Sequence, residues 1–149
     1  MTREALRQRA LRLLAQRDHS RAELMRKLAP LGTPGEVAEV IDRMADLDLQ
    51  SDRRYAESLV RSKASRFGAA RLRQEFRQRG ISPELGEQAL ATVATGDELD
   101  RARQVWQARF GERPADARAW ARQARFLQYR GFASDVIRKV LEGVGDEPA

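Results

Sequence analysis

Three glycines at nearly equal spacing, Gly32, Gly80 and Gly131, divide the sequence into segments of about fifty residues. They lie 48 and 51 residues apart. Leu85, Leu90 and Val93 follow Gly80 at the same offsets as Val136, Leu141 and Val144 follow Gly131. A repeat of this length accommodates three short helices, and such units bury their apolar faces against their neighbours. The spacing therefore predicts three tandem three-helix units in an elongated array.

The apolar residues within these units follow a helical period. Val37, Val40, Ile41 and Met44 recur at i, i+3, i+4 and i+7, which places them on one face of a helix. No stretch shows the sustained alternation typical of a strand, and β-branched residues are few. The predicted fold class is all-α. We expect repeats at 1–50, at 51–95, which is the basic one, and at 96–149, which ends in a short acidic tail.

Local signals mark where these helices begin and end. Ser20 with Glu23, and Thr33 with Glu36, have the spacing of a capping box, in which each side chain satisfies a free backbone N–H. Each of the three repeat glycines follows an apolar helix. We therefore expect all three to end a helix in the left-handed conformation.

Composition excludes several kinds of chemistry. The 149 residues contain no cysteine and one histidine, His19, so disulfides, thiol nucleophiles and histidine-based metal sites are excluded. We expect His19 to be a structural or surface residue, and Trp106 and Trp120 to belong to the core. The sequence predicts a binding protein rather than an enzyme, with no cofactor, metal or membrane span. The basic N-terminus has no apolar stretch typical of a signal peptide, which favours the cytoplasm.

The positive charge is concentrated in the middle repeat. The chain has 28 basic and 22 acidic residues, and 51–80 alone contain nine basic and three acidic ones. The nine are Arg53, Arg54, Arg61, Lys63, Arg66, Arg71, Arg73, Arg77 and Arg79. On a helix predicted over 52–66, Arg54 and Arg61 face away from the apolar residues with no acid beside them. This pattern indicates contact with a polyanion or an acidic protein surface, although any single arginine could belong to a solvated face.

A second basic stripe is predicted in the third repeat. Arg118, Arg122, Arg125 and Tyr129 lie at i, i+4, i+7 and i+11, opposite Trp120, Ala124 and Leu127. Arginine beside an exposed tyrosine is common at protein interfaces and can also stack on bases. The residues alone leave two interpretations open: a DNA-binding module similar to a helix-turn-helix, and a helical-repeat adaptor for an acidic protein.

Several motifs resemble those of the RecX family, which regulates the RecA recombinase. They are LLAQRDHSRAEL at 13–24 with KL at 27–28, DRRYA at 52–56, Gly68 with LRQE at 72–75 and RGI at 79–81, and RFL at 125–127 with RGF at 130–132. Their order and spacing agree with the family over nearly the whole chain. Phe76 departs from the leucine that is commoner there, which indicates a local change of core packing.

The resemblance implies a curved array of three three-helix repeats that binds RecA and its filament on single-stranded DNA. It implies an inhibitor of filament extension that lowers ATPase, strand-exchange and coprotease activity in DNA repair and the SOS response. It also implies weak, non-specific DNA binding, and we expect a monomer. We expect Arg54, Arg61, Arg73 and Arg77 to supply one contact with the filament. The stripe from Arg118 to Tyr129 would supply a second.

Overall fold

The computed structural model describes residues 2–92 and 98–143, and this part of the chain is helical without strands. The helices are α1 (Arg3–Gln16), α2 (Arg21–Leu28), α3 (Pro34–Asp46), α4 (Asp52–Lys63), α5 (Ala69–Gln78), α6 (Pro83–Ala91), α7 (Glu98–Arg109), α8 (Ala117–Tyr129) and α9 (Ser134–Glu142). A short 3₁₀ helix, Ala29–Leu31, follows α2. The all-α prediction is confirmed. The predicted linker at 95–97, the acidic tail at 145–149, Val93 and Val144 lie outside the described residues.

The chain forms two compact units. The first unit comprises Met1–Ser58 and Phe76–Ala89, and the second comprises Leu59–Glu75 and Leu90–Ala149. In the first unit, α1 and α2 pack on α3 around a buried apolar cluster: Leu6, Ala10, Leu24, Leu28, Val37, Val40, Ile41 and Met44. In the second unit, α7 and α8 pack on α9 around another: Ala102, Trp106, Leu127, Phe132, Ile137, Val140 and Leu141. The helical period of the sequence thus selects the buried faces correctly.

The predicted caps are only partly correct. The Thr33–Glu36 capping box is complete, since both reciprocal hydrogen bonds form. At α2 the Ser20 hydroxyl accepts from the Glu23 N–H, but the Glu23 carboxylate turns to the Arg17 guanidinium at 2.7 Å instead of closing the box. A nearby arginine offers the carboxylate a stronger, charge-assisted hydrogen bond than the neutral backbone does.

Two of the three repeat glycines have the predicted conformation. Gly80 and Gly131 have φ of 74° and 92°, in the left-handed region. Gly32 does not, because the 3₁₀ turn already ends the helix and leaves this residue extended, with φ of −168°. The left-handed conformation predicted for Gly32 is therefore wrong. Glycine fits there because a Cβ would approach Leu6 Cδ1 to 2.7 Å.

His19 has a structural role inside the first unit, as expected. It is 1% exposed, with Nδ1 3.0 Å from the Arg17 carbonyl and Nε2 3.0 Å from Lys27 Nζ. A carbonyl only accepts and an ammonium only donates, so the ring must be neutral, with its proton on Nδ1. Burial lowers the pKa of His19 below its ordinary value of 6.5. The positive charges of Arg17 and Lys27 lower it further, while the Arg17 carbonyl and Glu23 oppose the shift.

Acidification below pH 6.5 is therefore expected to destabilise the protein. The unfolded chain binds a proton on His19 at higher pH than the folded chain does. The contribution of the neutral His19 ring to the free energy of unfolding is thus fully present above pH 6.5. It declines as the pH falls towards the folded-state pKa. Urea unfolding at pH 7.5 and 5.5 measures this change. His19→Gln should flatten it, because the sequence has no other histidine. If the free energy of unfolding depends on pH equally in this variant and the wild type, His19 is not the group responsible.

Candidate functional site

Ion pairs engage part of the predicted basic cluster. Within the first unit Arg54 lies 3.5 Å from Asp18 and 3.3 Å from Asp48, both of which belong to the first repeat. Within the second unit Lys63 Nζ lies 2.9 Å from Glu75 Oε2, and this pair is largely buried. The expectation of a stripe without compensating acids is wrong at Arg54. Asp18, 36 residues away in sequence, and Asp48, six residues away across the turn before α4, both approach it in the fold. The helix α4 also ends at Lys63 rather than at Arg66, so Ser65 and Arg66 lie in the turn that follows it.

Other predicted residues are engaged by neutral or weaker contacts. In the first unit Arg79 Nη1 donates to the Tyr55 hydroxyl at 2.5 Å. The main-chain carbonyl of Arg79 accepts from the Ser20 hydroxyl. Arg53 pairs with Glu57 one turn along α4, at 3.4 Å, and its side chain stays exposed. Arg73 is exposed on α5.

Arg71 is half-buried and lies 3.9 Å from Glu75 Oε1, one turn along α5. The other predicted arginines are exposed, and the described part of the chain gives them no ion pair. They are Arg61, Arg66, Arg77, Arg118, Arg122 and Arg125. The predicted stripe on α8 is therefore exposed along its length, and Tyr129 at its end is 73% exposed. An exposed guanidinium without a carboxylate partner keeps its charge and its donors available to a binding partner.

Trp120 is not a core residue, contrary to the prediction. It is 41% exposed, whereas Trp106 is 4% exposed and its indole N–H donates to Gln123 at 2.8 Å. Helical spacing places Trp120 on the same face as Leu127, which is fully buried. Periodicity assigns a face but gives no position along the axis. Trp120 lies in the first turn of α8, whereas Leu127 lies two turns further along, where the helix contributes to the core cluster.

The second unit contains a continuous series of alternating arginine and aromatic side chains, which we call the arginine–aromatic ladder. Its members, in order of contact, are Tyr129, Arg71, Phe67, Arg130, Phe126, Arg109 and Phe110. Each guanidinium carbon lies between 4.8 and 5.9 Å from the centroid of the ring it covers. Arg66 also lies over Phe67, at 5.5 Å. Stacking on aromatic faces holds these arginines in fixed orientations.

Two glycines bring the parts of the ladder together. The Gly68 N–H donates to the Arg130 carbonyl at 2.9 Å, and the Ala70 N–H donates to the Gly131 carbonyl at 3.3 Å. A Cβ on Gly68 would lie 2.3 Å from the Gly131 oxygen. The turn between α4 and α5 can therefore meet the turn after α8 only because both lack side chains at the contact. This contact places Phe67 and Arg71 beside residues that lie about sixty positions later.

Sequence reasoning found only part of the ladder. Arg71 and Tyr129, together with the neighbouring Arg66, were predicted as site residues from charge and helical spacing. Phe67, Phe110 and Phe126 were not, because an aromatic residue in an amphipathic sequence is normally assigned to the core. Arg109 and Arg130 were not, because they lie outside the basic segment 51–80 and outside the predicted stripe on α8. The sequence feature that could have indicated these residues is the high density of arginine and aromatic residues in RFLQYRGF at 125–132.

Two pockets in the described residues differ in charge. One, of about 390 Å³, lies in the first unit and includes Arg17, Glu23, Arg26, Lys27 and Arg79 in its lining. Burial raises the pKa of Glu23, but the hydrogen bond from Arg17, together with the nearby Tyr55 hydroxyl, outweighs it and lowers the pKa overall, so a carboxylate is present. The other, of about 350 Å³, lies in the second unit and is lined by Arg66, Arg109 and Arg130 without any carboxylate.

Among residues 2–92 and 98–143, no group of three or more histidine, aspartate or glutamate side chains could hold a metal ion. In the same ranges, no helix combines the length and the apolar character needed to cross a membrane.

Comparison with known proteins relates all three repeats to one family. Family models for the first, second and third three-helix domains of RecX match residues 7–44, 51–90 and 96–141. The regulatory protein RecX of Leptothrix cholodnii is 51% identical over 138 residues, which cover 92% of this chain and 87% of that protein. The one from Chromobacterium violaceum is 43% identical over 145 residues, covering 97% and 93%. The crystal structure of RecX from Lactobacillus salivarius has a TM-score of 0.81 at 23% identity and covers 97% of both chains.

Proposed function

The chain belongs to the RecX family of regulatory proteins, and from that premise we propose that it inhibits the RecA recombinase. It would bind RecA and the RecA filament on single-stranded DNA and block filament extension. ATP hydrolysis, strand exchange and coprotease activity would then fall, which would moderate DNA repair, recombination and the SOS response. The observation that carries the proposal is the match of three RecX domains, in order, to residues 7–44, 51–90 and 96–141.

The surface chemistry of the described residues supports such a role. A regulator of this kind acts by binding one state of the filament more tightly than another, so it requires contacts rather than a catalytic group. Arg61 on α4, Arg77 on α5 and Arg118, Arg122 and Arg125 on α8 are exposed guanidinium groups without an ion pair in the described residues. They can pair with carboxylates of a protein or with phosphates of DNA. We propose that the protein acts as a monomer in the cytoplasm, and that its own DNA binding is weak and non-specific.

A steady-state assay of RecA ATP hydrolysis tests this function. Cognate RecA is assembled on single-stranded DNA, the protein is titrated in, and the titration is repeated with excess DNA. We expect inhibition at well below one protein per RecA monomer, because blocking growth at a filament end affects many subunits. This inhibition should persist when DNA is in excess.

A general DNA-binding module is the second candidate function, and the carboxylate-free pocket between Arg66, Arg109 and Arg130 favours it. This function predicts inhibition that disappears when DNA is added, since RecA and the protein would simply compete for DNA. It also predicts tight duplex binding with a steep dependence on salt. Inhibition abolished by excess DNA would therefore contradict direct regulation of RecA and support this alternative.

A further inference from the structure

The carboxylate-free pocket of the second unit has the composition of an anion site. Arg66, Arg109 and Arg130 line it, together with Ser65, Gln104 and one side of Phe126. Three positive charges share about 350 Å³ with no acidic side chain among the lining residues. Three positive charges around one cavity attract an anion to the space between them.

The contacts with aromatic rings leave hydrogen-bond donors of these guanidinium groups available. Arg130 lies over Phe126 at 5.2 Å and over Phe67 at 5.4 Å, and Arg109 lies over Phe126 at 5.6 Å. In the described residues, no hydrogen bond or ion pair uses the guanidinium groups of Arg66 and Arg109. One donor of Arg130 is used, since Nη1 donates to the Arg66 carbonyl at 3.3 Å, and this bond fixes the side chain. The remaining donors suit the paired oxygens of a phosphate.

The ladder connects this pocket to an exposed aromatic face. From Arg130 it continues through Phe67 and Arg71 to Tyr129, whose ring is covered by Arg71 at 5.3 Å and is 73% exposed. An exposed ring backed by a guanidinium is a platform for an unpaired base. A duplex hides the faces of its bases inside the stack, whereas a single strand presents both its phosphates and its base faces.

We propose that this pocket binds a backbone phosphate of single-stranded nucleic acid and that Tyr129 stacks one of its bases. The inference deepens the proposed function, on which it rests, by assigning the nucleic-acid contact to the second unit. Arg66, Arg109 and Arg130 hold the phosphate, and the ladder keeps them oriented before the strand arrives. Preorganisation of this kind reduces the entropy lost when the strand binds.

Fluorescence anisotropy of a labelled oligothymidylate, measured with the full chain over a salt series, tests the proposal. The double variant R66Q/R109Q is compared with R138Q/K139Q, which removes two positive charges from exposed positions on α9 of the same unit. We expect R66Q/R109Q to bind about tenfold more weakly, because hydrogen bonds to a charged group are lost. Its slope of log K against log salt should also decrease by about 0.7 for each phosphate contact removed. The control should change little.

Three further variants separate the parts of the site. Tyr129→Leu should weaken binding about fivefold without changing the salt slope, and Tyr129→Phe should bind like the wild type, because stacking needs only the ring. R66K/R109K keeps both charges and the fold but loses the planar, paired donors. It should retain the salt slope and lose about threefold in affinity.

The proposal is overturned if folded R66Q/R109Q, or R66K/R109K should the glutamine variant unfold, matches its control or the wild type in affinity and slope. It is also overturned if polyglutamate displaces the oligonucleotide as well as unlabelled oligothymidylate does at equal charge, which would identify an acidic-protein site. These measurements contain no RecA. Loss of the phosphate site and loss of RecA regulation can therefore be told apart.

Discussion

Replacing Gly131 by alanine should lower the free energy of unfolding by about 3 kcal/mol, because two penalties act on one residue. Its φ of 92° is strained for any residue with a side chain. The added Cβ would also lie 2.5 Å from the Arg71 backbone nitrogen and 2.3 Å from the Arg71 Cβ. Backbone at this contact cannot move aside as a flexible side chain could. The turn after α8 would separate from α5, and the arginine–aromatic ladder would lose its alignment.

Gly111→Ala is the matched control for this prediction. Gly111 has a φ of 75°, but its Cβ would meet only the Gln107 carbonyl oxygen and side-chain nitrogen, at 3.5 and 3.7 Å, which are ordinary contacts. That variant carries the conformational strain alone and should lose about 1 kcal/mol. Urea unfolding followed by circular dichroism measures both. Equal losses in the two variants would show that close packing at Gly131 contributes nothing to stability.

Reversing the charge of Arg73 and Arg77 together should raise the concentration needed for half-inhibition of RecA about fiftyfold, because placing like charges against a partner costs several kcal/mol. Both side chains are exposed on α5, while Leu72 and Phe76 on the same helix are buried, 0% and 3% exposed. The variant R73E/R77E should therefore fold normally. The measurement is RecA ATP hydrolysis on single-stranded DNA.

The control for that variant is R9E/R12E, which makes the same change of net charge at two exposed positions of α1. We expect it to inhibit like the wild type. If folded R73E/R77E also inhibits like the wild type, the assignment of this surface to the RecA contact is wrong. If both variants fail equally, net charge rather than a defined surface governs inhibition.

The helical period and the helix-start signals were sufficient to predict the fold. Val37, Val40, Ile41 and Met44 are buried as their spacing requires, and Thr33 caps α3 as predicted. Such features depend on residues within a few positions of each other. The left-handed conformation predicted for Gly32 was wrong because the 3₁₀ turn depends on how the preceding helix ends.

The candidate site was less predictable because its contacts are distant in sequence. Charge counting identified Arg54 as a basic residue but could not show that Asp18, 36 residues away in sequence, approaches it. It identified Arg71 and Tyr129 but could not place one over the other, since that contact requires Gly68 and Gly131 to meet. A single sequence states which side chains are available, whereas the fold determines which of them are neutralised and which are stacked.

The contact between Gly68 and Gly131 also determines when the proposed nucleic-acid surface can form during translation. Arg66 and Arg130 are 64 residues apart. At elongation rates of about 5 to 20 residues per second, the ribosome takes about 3 to 13 seconds to add that stretch. Phe67 and Arg71 leave the exit tunnel without their aromatic and arginine partners, so the pocket stays incomplete during that time. An arginine-rich nascent chain thus completes the proposed anion site only after residue 131 has emerged.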